Sequence, residues 1–425
     1  MNKALVVLIV ALVVVAVVLF LTQSPAPAQS PTPTSTPPRP EQTPTSPTTT
    51  PTVPPTTTPS PAPVTIKIWH ALNPEEESVF KNLAAEYTKV NPHIRIVFEN
   101  KAPDLQTAVL AAVATGEQFD LFIWAHDWIG LMVEAGVLKS VNSEVTDVLD
   151  KFAVPVPQYK GNIYGLPFTV ETVALICNSK MVASPPKSFN ELLKIMRQYH
   201  NPPRTYGISY IVNPYFISAW IHGAGGYYFD DMTEKQGLTD PRSVAGFQFF
   251  KSNIMPYVGP NPTDYNTQVS LFLSGQTPCM VNGPWSIGAV KRAGLDFFVA
   301  PLPPVNETYI PRPYGGLKMF YVTKFASREA IEFIKWFTTD PRVAKTLEES
   351  LGYVPVLKDY TPASPVVTGF YEAMKNVYLM PVSPKMQPVW GAVDLIIQNA
   401  IVSEQVSLIK AIQDATAPLC TRGLC

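Results

Sequence analysis

The chain predicts an α/β fold made of more than one compact unit, and three observations lead there. From Val64 the sequence alternates Val64, Ile66 and Ile68 with Thr65, Lys67 and Trp69, then gives a helical stretch, then Ile94 to Phe98 as a second extended run. That is a β-α-β opening with short connections, the mark of an α/β sheet. A second buried strand is predicted at Phe119-Asp-Leu-Phe-Ile-Trp124, a short apolar run rich in β-branched and aromatic residues that suits a parallel sheet. The length of 425 residues exceeds what one hydrophobic core usually holds.

The elements follow in order. Ala4 to Leu21 is uninterrupted Ala, Val, Leu, Ile and Phe, with Lys3 and the amino terminus as the nearby positive charge. A helix of that length nearly spans a hydrocarbon core of ~30 Å, and the charge places the remainder of the chain outside. A retained anchor, a cleaved signal with Ala26-Pro-Ala28 as its processing site, and a pilin-type leader after Lys3 all agree on that placement. A membrane-tethered product is the preferred reading, with residues 1–23 as signal or anchor. Ser24 to Pro63 holds 15 Pro and 12 Thr in 40 residues. Such a run buries no apolar surface and reads as a disordered, extended stalk at 24–63. It suits an O-glycosylated spacer that lifts a domain through a cell-surface layer, with an inert linker as the alternative.

Beyond the stalk, Asn73-Pro74-Glu75-Glu76-Glu77 combines an N-cap, Pro at the first helical position and acids in the first turn. Val79, Phe80, Leu83, Ala84, Tyr87 and Val90 form the apolar stripe of that helix, and Asn91-Pro92 ends it. Helices are expected at Asp104–Thr115, Ser188–His200, Pro214–Gly223, Pro241–Met255, Asp264–Ser274, Ser327–Thr338, Pro341–Ser350, Val366–Val377, Pro388–Val402 and Ser403–Thr416. Strands are expected at Ile163–Phe168, Thr172–Asn178, Thr205–Tyr210, Thr277–Asn282, Leu295–Ala300 and Leu317–Thr323. Glu171 sits between two of them, where a chain crossing between lobes would look like this.

Composition excludes several functions. The 32 Lys+Arg nearly balance 33 Asp+Glu, which gives no electrostatic case for nucleic acid. The five histidines are scattered, so no metal-ligand spacing arises, and no cofactor fingerprint is present: there is no P-loop, nucleophile elbow or dinucleotide motif. Cys420 and Cys425 bracket a segment short enough for a small disulfide loop, with a free thiol pair as the alternative. Cys177 and Cys279, in strand-like runs, read as small buried apolar residues. Asn306-Glu-Thr308 is an N-glycosylation acceptor pattern.

The strand at Phe119 ends in Trp124-Ala-His-Asp127-Trp128. In open α/β sheets ligands bind beyond the carboxyl ends of strands. An indole face beside a carboxylate is what a polyhydroxylated ring needs, C–H face on the indole and hydroxyls donating to the acid.

Further markers occur along 64–417: Ile68-Trp69, Phe122-Ile-Trp-Ala-His-Asp127, Tyr164-Gly-Leu-Pro-Phe-Thr-Val-Glu171, Ala174-Leu-Ile-Cys-Asn178, Pro185-Pro-Lys-Ser-Phe189, Pro214-Tyr-Phe216, Gly225-Gly-Tyr227, Gly275, Val281-Asn-Gly-Pro-Trp285 and Met380–Trp390. In this order they resemble the extracellular solute-binding proteins of sugar ABC importers, and most closely the maltose/maltodextrin-binding branch. The resemblance implies a two-lobed fold of the periplasmic-binding-protein type, with a hinge and a ligand cleft between lobes. It implies crossings near Thr169–Thr172, Val305–Pro313 and Lys358–Pro362. Lobe 1 would be 64–170 plus 312–358, lobe 2 would be 171–308 plus 362–418, and 419–425 a C-terminal tail.

Carried over by motif, the stacking platform is Trp124, Tyr215, Trp285 and Trp390 with Phe216 adjacent, and the hydroxyl-binding acids are Asp127 and Glu171. Trp69 and Trp336 stay with the core, and His126 serves loop structure. The chain departs from the family pattern at Trp128, where an Arg is usual, and at Asn213, where a Glu is. It departs again at Asn73-Pro74 (with Glu75 nearby), where an Asp-Lys pair is usual, and at Asp394, where an Arg is. Trp128 is therefore a further ligand candidate or a packing residue, and Asn73, Glu75, Asn213 and Asp394 are secondary ones. The implied function is capture of a maltose/maltodextrin-like oligosaccharide at the cell surface and delivery to ABC permease subunits by a monomer that is not an enzyme. The alternatives are the same fold binding trehalose, another sugar or a non-sugar solute, a glycoside hydrolase using Asp127 and Glu171, and a purely structural surface protein.

Overall fold

The structure, a computed structural model, describes residues 62–425. The expected anchor and all but the last two residues of the expected stalk lie outside the described residues. Among those described, no helix is long and apolar enough to cross a membrane.

The chain builds two α/β lobes, each around its own sheet. It opens with β1 (Val64–His70), α1 (Pro74–Val90) and β2 (Ile94–Asn100), then α2 (Leu105–Thr115), β3 (Leu121–Ala125) and α3 (Ile129–Glu134). The start of α1 is closed as its sequence implies. The Asn73 side chain accepts from the Glu75 and Glu76 N–H groups, and Glu76 returns a bond to the Asn73 N–H at 2.9 Å. β1 pairs parallel with β2 and β3. The long strand β4 (Gly165–Glu171) then leads directly into β5 (Ala174–Asn178).

With β5 the chain enters a second, four-stranded sheet. Its further elements are α4 (Phe189–Tyr199), β6 (Ser209–Tyr210), α5 (Pro214–Gly223), the hairpin β7 (Phe229–Asp230) and β8 (Lys235–Gln236), α6 (Pro241–Asn253), α7 (Tyr265–Leu273), β9 (Cys279–Asn282), α8 (Ile287–Arg292) and β10 (Phe297–Ala300). The strand order is β10-β5-β9-β6. The chain returns to the first sheet with β11 (Tyr314–Val322), which pairs antiparallel with both β3 and β4. The first sheet is therefore mixed rather than parallel throughout, because its central strand arrives from the other lobe. α9 (Arg328–Thr339) and α10 (Pro341–Leu351) pack on that sheet.

Finally α11 (Pro365–Met374), β12 (Tyr378–Leu379), α12 (Gln387–Ile396) and α13 (Leu408–Thr421) close the chain. These helices contribute Val367, Phe370, Val389, Val393, Ile412 and Leu419 to the second lobe's cores. The last helix starts later than the expected Ser403 and runs into the segment read as a tail, because Ser407 caps it and Leu419 still has core to bury against. Short strands such as β12 and the expected strand from Thr205, of which only Ser209–Tyr210 is extended, carry too few residues for a sequence period to show.

Side chains pin the passages between sheets. The Thr172 hydroxyl donates to the Tyr314 carbonyl at 2.9 Å, and the Thr169 hydroxyl donates to the Val354 carbonyl at 3.0 Å. Within the second sheet, Cys177 and Cys279 face each other across β5 and β9 and form a disulfide. This corrects their reading as merely apolar residues. Both are fully buried, but adjacent strands brought the sulfurs together across 102 residues of sequence. Cys420 and Cys425 are joined by a second disulfide at the end of α13.

Candidate functional site

The strand ends of both sheets converge on a cavity of about 660 Å³. The first lobe supplies Ala71 and Asn73 from the turn after β1, Glu76 from the first turn of α1, Trp124 and Ala125 at the end of β3 with Asp127 and Trp128 just beyond it, and Lys318 from β11. The second lobe supplies Asn213 to Phe216 at the start of α5, Tyr265 from α7, Trp285 after β9, and Met380 and Trp390 beside and on α12. Glu171 closes the floor at the end of β4.

The aromatic residues divide by burial. Trp124, Tyr215, Trp285 and Trp390 line the cavity and are half-buried, whereas Trp128 and Phe216 line it from nearly buried positions. Trp128 stacks on Trp124 with ring centroids 4.5 Å apart and planes 21° apart, so it both packs and backs the platform. Trp285 stands 6.2 Å from Tyr215 and edge-on to Phe216. Its ring lies over Gly283, where any Cβ would collide with it. Trp390 rests on Tyr314 at 5.2 Å. By contrast Trp69 is buried flat against Phe119 at 3.8 Å, and Trp336 packs on Tyr87.

Of the three acids that line this cavity, Glu76 is bonded to Lys318 and Tyr353, and the other two are not satisfied. Asp127 and Glu171 are buried, and Asp127 Oδ1 and Glu171 Oε1 each lack a hydrogen-bond partner. Burial pushes the Asp127 carboxyl up to about 7, with the Glu171 charge adding to it. Burial likewise lifts Glu171 to about 7 against the opposing pull of Lys318. Both acids move the same way, because both are buried away from water. His126 is held neutral by burial, its pKa lowered to about 4, and its Nδ1 accepts from the Leu317 N–H at 3.1 Å, tying the turn after β3 to β11.

An acid whose folded pKa lies above its unfolded value binds more protons in the folded chain, so its contribution to stability falls as pH rises between the two values. For Asp127 that window runs from 3.8 to about 7. In thermal unfolding of the sugar-free protein, Asp127→Asn should therefore gain on the parent as pH is raised from 4 to 8. A difference that stays flat across that range contradicts the assignment.

The secondary candidates separate cleanly. Asn73 and Asn213 line the cavity, but each also caps a helix, Asn213 accepting from the Phe216 N–H at 3.0 Å. Glu75 lies outside the cavity lining and pairs with Arg292 of α8. Asp394 is exposed on α12, one turn beyond Trp390, and does not line the cavity. Asn306 sits in an exposed loop, its Oδ1 accepting from the Thr308 and Tyr309 N–H groups at 2.9 Å.

Sequence reading passed over Glu76, Tyr265, Lys318 and Met380. Glu76 had a signal: it stands one, two and three turns before Phe80, Leu83 and Tyr87, on the buried stripe of α1. Lys318 had none, being one charged residue within a strand.

The lobes also meet beside the cavity. Asn73 Nδ2 donates to the Trp285 carbonyl at 3.0 Å, Glu75 pairs with Arg292, and Lys291 Nζ donates to the Glu349 carbonyl.

This arrangement has counterparts. Residues 82–373 match the family model described as bacterial extracellular solute-binding protein. The chain belongs to that family. It is 49% identical over 362 residues to a maltotriose-binding protein of Pyrococcus abyssi, covering 82% of this chain and 80% of that relative. It is 22% identical over 346 residues to a galactooligosaccharide-binding protein of Bacillus subtilis, covering 76% and 82%. Among solved structures, a maltotriose-bound maltotriose-binding protein of Thermus thermophilus superposes with a TM-score of 0.75 at 26% identity, over 84% of this chain and 99% of that one. The maltotriose-bound maltose/maltodextrin-binding domain from Bdellovibrio bacteriovorus gives 0.77 at 22%, over 84% and 100%. The two-lobed fold is thus shared with these sugar binders.

Proposed function

We propose that the chain is the extracellular receptor of an ABC importer, capturing maltodextrins of about maltotriose length between its lobes and delivering them to a membrane permease. The carrying observation is the cavity itself. Five half-buried aromatic side chains, Trp124 from the first lobe and Tyr215, Tyr265, Trp285 and Trp390 from the second, flank two buried carboxyls with unpartnered oxygens, a set matched to apolar ring faces and hydroxyl rims. The identity to the maltotriose-binding relative supports the choice of sugar. The lobes are read as 64–170 plus 312–358 and 171–308 plus 362–418, with the hinge at the passages between sheets. The ligand favours the closed arrangement by touching both lobes at once. Residues 1–23 and 24–63 are read as anchor and stalk, which fits the two disulfides, since such bonds persist outside the cytoplasm.

The rewritten polar contacts, above all Trp128 and Asn213, favour a second reading in which the fold binds a different sugar. Calorimetry against maltose, maltotriose, trehalose and a galactooligosaccharide decides. Maltotriose should bind tightly and remain intact. Binding of trehalose or the galactoside without any maltodextrin would transfer the proposal to that sugar, and steady release of glucose would make the protein a hydrolase.

A further inference from the structure

The first lobe's floor holds a charge cluster that stacking and acid–hydroxyl contacts leave without a role. Lys318, in the middle of β11, lines the cavity with its side chain 13% exposed. An ammonium has three protons to donate. Its nitrogen lies 2.8 Å from Glu76 Oε1 and 3.3 Å from the Tyr353 hydroxyl. Tyr353 also donates to Glu76, and Glu76 Oε2 is held by the Asn73 N–H. The ammonium is therefore fixed from below by a set of groups that bond one another.

Towards the cavity the geometry is unfinished. Lys318 Nζ and Glu171 Oε1 are 3.7 Å apart, close enough to attract but too far for a hydrogen bond, and Glu171 Oε1 has no other partner. A hydroxyl both accepts and donates. An oxygen placed ~2.8 Å from each atom spans that separation, accepting from the ammonium and donating to the carboxylate. Asp127 and Glu171 as carboxylates only accept, so Lys318 gives the floor a charged donor.

We propose that Lys318 is a specificity-determining sugar contact, gripping one hydroxyl of the bound oligosaccharide jointly with Glu171. This rests on the oligosaccharide-binding reading above. Glu76 and Tyr353 act through Lys318 as positioning residues. A sugar lacking that hydroxyl leaves the buried Glu171 Oε1 without a hydrogen-bond donor and the ammonium one acceptor short, and polar sites discriminate strongly when a buried group is left without its partner.

The test is calorimetric affinity for maltotriose in the full chain and in Lys318→Met, Lys318→Gln, Glu171→Gln and the Lys318→Met/Glu171→Gln pair. Lys318→Met should weaken binding roughly ten- to hundred-fold, the range for hydrogen bonds to charged groups. The double variant should lose no more than the worse single one, because both lose the same hydroxyl. Among monodeoxy maltotrioses, one should be penalised by the parent and tolerated equally by the Lys318 variants. Thermal unfolding identifies which variants fold, and Lys318→Gln, which keeps an N–H donor opposite Glu76, serves if Lys318→Met does not. A folded Lys318 variant that binds maltotriose within twofold of the parent, or singles whose losses simply add, overturns the proposal. A parent that binds no maltodextrin overturns the functional reading instead, and the same comparison is then made with the sugar it does bind.

Discussion

Removing the Cys177–Cys279 disulfide by the double replacement Cys177→Ala/Cys279→Ala is expected to destabilise the second lobe by about 4 kcal/mol. The bond closes a loop of 102 residues; on the chain-entropy account a cross-link of that span restricts the unfolded chain by about 4.7 kcal/mol, and typical measured effects reach about 4. It joins β5 to β9 at a fully buried position in the strand register. The first sheet's strands contain no cysteine. Guanidinium unfolding followed by tryptophan fluorescence and calorimetry should therefore show the second lobe's transition moved to lower denaturant, with the first lobe's much less affected. Reductant added to the folded protein should do little, because the sulfurs are shielded. A shift below about 1 kcal/mol would show that the bond merely decorates a sheet already stable without it.

The second large effect falls on binding. Trp285→Ala and Trp390→Ala should each cost about 2 kcal/mol or more in maltotriose affinity, close to thirty-fold, as expected for truncation of an aromatic anchor at the centre of a contact surface. The fold should survive, since both rings are only half-buried and stand at the rim of the second lobe's core. Trp69→Ala is the control: fully packed on Phe119, it should lower the melting temperature with little change in the affinity of the remaining folded protein. Equal affinity in both rim variants would remove them from the site.

Much of this is legible in the sequence because the informative residues carry local signals. Asn73-Pro74 announces a helix start by chemistry alone, and the helix begins there. Trp124 to Trp128 announces a strand end carrying ligand chemistry, and the cavity opens there. What was missed depends on partners distant in sequence. Of the three glutamates opening α1, only helix phase distinguishes the buried Glu76 from Glu75, and the nearer analogy pointed to the wrong one. Asp394 is a candidate only through the family pattern, and on α12 its side chain turns to solvent instead of lining the cavity as Trp390 does. Lys318 reaches the floor because β11 returns from the other lobe to pair between β3 and β4, and the Cys177–Cys279 bond forms because β5 and β9 are neighbours. Neither fact is written near the residues concerned.

The pairing of Glu75 with Arg292 carries a consequence for the cargo. The two charges belong to different lobes and neither lines the cavity. On the proposed hinge reading they meet when the lobes are together and separate when the lobes part, so a share of the closing free energy would be ionic although the sugar is not. Mobile ions weaken such an exposed pair. The hold on an uncharged ligand thereby becomes sensitive to the saltiness of the surrounding medium, and an exchange of charge at a distance from the sugar can loosen or tighten it.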